Sequence, residues 1–159
     1  MKKDISLLLV IILIGVAGRL LPHPPNFTPI TALALFSGAV LKRKWLPLVI
    51  MAVSDLFLGL HSLIPYTWGS ILLITLLGSR LNWKAMPLAS FLFFVVTNFG
   101  VWLQGWYGMT LKGLVECYVM ALPFYRNSIL GDAFYTFAIF GAYKLAQELS
   151  RGYKTNPRW

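Results

Sequence analysis

Three polar side chains on three separate apolar runs carry the chemistry that this sequence can offer. Asp55 stands five residues before the end of one run, Asn98 five before the end of another, and Asp132 five after the start of a third. At a rise of about 1.5 Å per residue each lies about 7–8 Å from a helix end, so alternating helices set all three at one depth. Arg19, near the end of the first run, is within reach of that layer. An ionisable group inside an apolar helix costs roughly 2.5–3.5 kcal/mol on insertion scales, so each of them asks for a reason. One reason is a buried network, Arg19 with Asp55 or Asp132, that locks a helical bundle together. The other is that the layer floors a cavity binding a small, flat, polar molecule.

The second cluster is the stretch Arg19-Leu20-Leu21-Pro22-His23-Pro24-Pro25-Asn26-Phe27-Thr28-Pro29. Each proline lacks an N–H and pushes its predecessor towards extended geometry, so the stretch is a stiff loop and not a helix. It is either a rigid connector or a pre-organised contact surface offering His23, Asn26 and Thr28. Together with His61 in a second connection, and Trp102 and Arg126 flanking a third, it forms an aromatic-rich rim above the polar layer. Rings there supply stacking and apolar area, while the polar groups orient a ligand. Under the binding reading Asp55, Asn98 and Asp132 line the floor, and His23, Asn26, His61, Trp102 and Arg126 contribute from the rim.

Covalent and metal chemistry lack their residues. The chain has no His-Glu-x-x-His, no Gly-x-Ser-x-Gly and no phosphate-cradling glycine loop. The single cysteine, Cys117, excludes an internal disulfide, and a buried cysteine most often serves as a small hydrophobe. No catalytic residue, metal site or cofactor is expected, and the chain is not read as an enzyme.

The elements that must position these groups are helices in a membrane. Hydrophobic residues make up 58% of the 159, charged residues 12%, and the mean hydropathy is +0.71, which leaves too little polar surface for a water-soluble globule. The sequence predicts one all-α transmembrane domain over 1–159, an integral membrane bundle of six spans at about 5–21, 28–41, 46–60, 66–77, 86–103 and 127–145. Residues 108–126, carrying Lys112, Glu116 and Cys117 and closed by Pro123, read as a lid lying at the surface. The first run has no small-x-small cleavage site before the polar loop, so it is read as an uncleaved span. In Ala34-x-x-x-Gly38 the small residues suit close helix contact.

In a soluble protein a net charge of +9 would point to nucleic acid; here the basic residues are interleaved with spans and report topology, with no nucleic-acid partner. With a cytoplasmic N-terminus, the inside segments hold Lys2, Lys3, Lys42, Arg43, Lys44, Arg80, Lys84, Lys144, Arg151, Lys154 and Arg158. Arg19, Lys112 and Arg126 fall outside or near the outer ends. This places the chain in the inner (cytoplasmic) membrane, multi-pass, with both termini cytoplasmic.

The run from Arg19 through Pro29 to Gly38-Ala39, with Ser54-Asp55-Leu56-Phe57-Leu58-Gly59, Thr97-Asn98-Phe99-Gly100-Val101-Trp102 and Leu122-Pro123-Phe124-Tyr125-Arg126-Asn127, resembles a family of small uncharacterised bacterial six-span membrane proteins. More distantly, size, span number and the outward polar layer are similar to the substrate-binding S components of energy-coupling factor vitamin transporters. That resemblance implies capture of a vitamin-like nutrient from the outer side, with a transmembrane coupling protein and ATPase subunits as partners. The first span lacks the Ala-x-x-x-Ala contact that many S components present to the coupling protein. The chain is therefore expected to be a membrane-embedded substrate-binding subunit; the alternative is a structural or scaffolding subunit whose polar network only stabilises the bundle.

Overall fold

The structure, a computed structural model, describes residues 2–155. The expected inside charge Arg158 lies outside the described residues, as do the side chains of Lys2, Lys3 and Lys154. Helix α1 spans Lys2–Leu20, and α2, Ile30–Phe36, is continued by a π-helical turn, Ser37–Leu41. Helix α3 spans Leu46–Leu58, and α4, Ile64–Leu81, leads through a 3-10 turn, Asn82–Ala85, into α5, Met86–Leu103. Helix α6 spans Leu111–Thr155. The protein is all-helical, with no strand among the described residues.

The helix boundaries follow from local chemistry. Pro47, Pro65 and Pro87 sit in the first turns of α3, α4 and α5, where a missing N–H has no intrahelical partner to lose. The proline loop stops α1, Lys42 leaves the π-helical turn in the left-handed region, and Gly59, at φ 99°, ends α3 where a side chain would be strained.

Helix α2 is the hub. All seven of its residues are buried, and it touches every other α-helix. It reaches α4 backbone to backbone: a Cβ on Gly38 would stand 2.0 Å from the Thr75 carbonyl oxygen, and one on Gly78 2.5 Å from that of Leu35. The small pair Ala34 and Gly38 thus packs inside the molecule. Around this crossing lie Leu33, Leu35, Leu46, Ile50, Ile71, Ile74 and Ala89, the centre of the core.

Polar residues are also inside. Ser54, Asp55, Ser70, Thr75, Ser90, Asp132 and Thr136 are buried, while Leu13, Leu56, Phe57, Phe91, Leu111, Phe134 and Phe137 are each more than half exposed. One helical stretch among the described residues, Ile64–Leu103, holding α4 and α5, is long and apolar enough to cross a membrane. Leu7–Leu20, Ile30–Leu41 and Leu46–Leu58 are apolar but shorter. On this measure the six expected spans are not met.

The expected lid and last span are one element. Residues 111–126 belong to α6, which runs 45 residues to Thr155 with Pro123 inside it. They lie along α5: Tyr118 Oη donates to the Val95 carbonyl at 2.7 Å, Cys117 Sγ stands 3.4 Å from the Asn98 carbonyl, and Tyr125 stacks on Phe94 at 4.5 Å. These contacts outweigh the lost hydrogen bond of one proline, and the charges of Lys112 and Glu116 are met on the exposed face.

Candidate functional site

Arg19, in the last turn of α1, reaches across to α3. Gly15, one turn earlier, lets the helices close, since a Cβ there would stand 2.8 Å from Ile50. The guanidinium is 2.8 Å from Asp55 Oδ1, with the Arg19 side chain 13% and the Asp55 side chain 1% exposed. It also donates to Ser54 Oγ and, at 3.4 Å, to the Met51 carbonyl. Asp55 Oδ2 accepts from Trp68 Nε1 on α4 at 2.8 Å, while Oδ1 makes the ion-pair contact without an aligned hydrogen bond. This cluster ties α1, α3 and α4 together.

On its other side Arg19 lines a cavity of about 170 Å³ with Asn26, Thr28, Thr31, Thr67, Ser128 and Asp132. A second cavity of about 210 Å³ adjoins it, sharing Asn26, Thr67, Phe93 and Ser128 and adding Leu63, Thr97, Asn98, Val101 and Tyr125. Asn26 is held over both by its loop. Phe27 packs against Phe134 and Tyr135 at 6.0 and 5.7 Å between ring centres, its Cα 3.0 Å from where a Cβ of Gly131 would stand. Pro29 closes on Gly18, and Asn26 takes φ 63°, a left-handed turn that asparagine tolerates.

The hydroxyl part of the lining presents its oxygens for a geometric reason. Thr97 donates its hydroxyl hydrogen to the Phe93 carbonyl at 2.7 Å, Ser128 to Phe124 at 3.1 Å, and Thr67 to Ile64 at 3.2 Å. Asn98 spends one of its two amide N–H groups on the Phe94 carbonyl at 2.8 Å. With those hydrogens directed back to their own helices, the oxygens are left to accept. Asp132 Oδ2 accepts from Ser90 at 2.6 Å.

The structure therefore brings Asn26, Asn98 and Asp132 to the same pair of cavities. Asp55 stands behind Arg19, holding it. The single polar layer is corrected: Asp132 faces Ser90, eight residues and so about 12 Å along α5 from Asn98. The cause is α6, whose helix begins at Leu111, not at residue 127. His23 is tethered to the Pro24 carbonyl at 2.8 Å and the Arg19 carbonyl at 3.3 Å. His61 and Arg126 are exposed, and Trp102 Nε1 donates to the Thr110 carbonyl at 3.2 Å. None of these four lines either cavity. Thr31, Thr67, Thr97 and Ser128 are not among the expected site residues; the available signal is mid-helical Ser and Thr on otherwise apolar runs.

Among the described residues no group of three or more His, Cys, Asp or Glu is placed to hold a metal ion. No curated protein and no solved structure matches the chain. A family model described as a family of unknown function (DUF6580) matches residues 1–154, and the chain belongs to that family.

Proposed function

We propose that this protein is a membrane-embedded binding subunit that takes a small, hydrogen-bond-donating polar molecule into the paired cavities between Arg19 and Asn98. The observation that carries the reading is the row of back-bonded hydroxyls and the Asn98 amide, which leaves acceptor oxygens facing the paired cavities. A ligand rich in N–H groups, such as an amine, an amide or an N–H heterocycle, satisfies such a lining. A purely accepting ligand finds donors in Arg19, Asn26 and the second Asn98 N–H but leaves the hydroxyl oxygens unpaired, at a cost of about 1–3 kcal/mol for each buried unsatisfied group.

The membrane setting is supported by the many large apolar side chains exposed on the surface beside buried polar ones, and by helices at all six expected span positions, the last of them within the longer α6. The shorter apolar helices then span with their flanking residues at the interface. The cavities lie towards the end that carries the proline loop, Leu63 and Val101. Lys42, Arg43, Lys44, Arg80, Lys84 and Lys144 cluster at the other end, so the positive-inside rule turns the cavities outward, with both termini in the cytoplasm. The likeness to S components extends this reading to nutrient capture. Having no nucleotide-binding motif, the subunit would then need a coupling protein and ATPases to drive uptake. A second reading, a purely structural subunit, is favoured by one observation, the paired Arg19–Asp55–Trp68 cluster.

Thermal unfolding of the detergent-purified protein against a panel of water-soluble vitamins, nucleobases and amines separates the two. A ligand at 100 times its dissociation constant adds about 2.7 kcal/mol. Binding predicts a shift with an N–H-bearing member of the panel that Asn98→Ala abolishes while its own ligand-free melting point stays near wild type. A flat response across the panel contradicts it and leaves the structural reading.

A further inference from the structure

We infer that the groove at the basic end of the molecule is a binding site for an anionic phospholipid. The inference rests on the membrane reading above but not on the outward cavities. The groove, of about 430 Å³, lies between the π-helical turn, the 3-10 turn and α6. Past Trp83 and Phe137 it opens into a second recess of about 250 Å³. Its walls are Val40, Trp83, Phe137 and Phe140, with Phe140 edge-on to Phe36 at 5.3 Å and Trp83 beside Phe137 at 6.2 Å. Thr136 Oγ1, buried in the floor shared by both recesses, has no hydrogen-bond partner.

An apolar slot of this kind accepts an acyl chain, and what surrounds it selects the headgroup. Lys144 borders the groove and Lys84 the adjoining recess. Lys42, Arg43 and Lys44 follow directly on the turn that supplies Val40, and all five side chains are exposed. The acid beside this rim, Glu148, is 3.9 Å from Lys144, with both side chains mostly in solvent, so it leaves the lysine free to pair elsewhere. Trp83 and Tyr143 stand at the same level, where amphipathic rings meet headgroups. A neutral lipid fits the slot but gains nothing from the lysines, whereas a phosphate carrying a net negative charge does. Gly141 borders the groove with open space where its Cβ would be, so a larger side chain there fills the slot without disturbing the core.

The test titrates the detergent-purified protein with phosphatidylglycerol, with phosphatidylcholine of the same acyl chains, and with inorganic phosphate, following thermal stability and bound lipid by native mass spectrometry. The expected result is saturable stabilisation by phosphatidylglycerol at concentrations roughly tenfold or more below those needed for phosphatidylcholine. The double substitution Lys84→Ala with Lys144→Ala removes that preference. Gly141→Leu weakens both lipids, and neither variant moves the lipid-free melting point. Equal response to the two lipids, an unchanged preference in the double lysine variant, undiminished binding of both lipids by Gly141→Leu, or the same shift with inorganic phosphate alone overturns the lipid site. Those results leave the membrane reading standing, whereas recovery of the chain from the aqueous fraction without detergent overturns both.

Discussion

Arg19 and Asp55 are more informative as a pair than either is alone. A buried charge that loses its partner is left uncompensated, so Asp55→Leu or Arg19→Met alone is expected to destabilise the protein by about 3–5 kcal/mol. Replacing both, Arg19→Met with Asp55→Leu, should restore most of that loss, because an apolar pair of similar volume does not need charge compensation. Chemical denaturation of the three variants checks this, and strictly additive losses would contradict the coupling. The sequence narrows the partner of Arg19 to Asp55 or Asp132, the two aspartates inside apolar runs, and packing selects Asp55. The Ser and Thr oxygens of the cavities are not legible in it. A mid-helical hydroxyl bonded to its own backbone has the same sequence whether it faces lipid, core or ligand, and only packing decides which.

At the scale of elements, the crossing of α2 and α4 fixes everything else, because α2 is enclosed and α4 leads into α5. Gly38→Leu or Gly78→Leu pushes a side chain into backbone, which cannot move aside as a flexible side chain can. The expected loss is about 3 kcal/mol or more. It should appear as a lower melting point or failure to accumulate folded protein, whereas Gly69→Leu, where a Cβ meets nothing within 4 Å, is tolerated. Wild-type stability in Gly38→Leu would contradict the crossing. Five helices stood close to where apolar runs and proline positions put them. The sixth did not, because Lys112, Glu116 and Pro123 argue locally against a long helix, while the contacts that favour it come from α5. With the start of α6 went the depth of Asp132. The apparent alignment of three polar residues came from counting from a helix end that does not exist.

For the whole molecule, the account joins two asymmetries. A set of polar side chains is buried beside the apolar core while many large apolar ones face out, and the cavities lie towards the end opposite the lysine cluster. Under the proposed function they make a bundle dissolved in lipid with a binding pocket open to one side. The most direct measurement uses the fact that Cys117 is the only cysteine. In a Cys117→Ala background, the single substitutions Asn26→Cys at the cavity mouth and Lys84→Cys at the basic end, both exposed positions, are treated in intact cells with a small membrane-impermeant thiol reagent. Asn26→Cys is expected to react from outside and Lys84→Cys only after permeabilisation. Labelling of Lys84→Cys in intact cells, with Asn26→Cys silent, would contradict the outward orientation of the cavities.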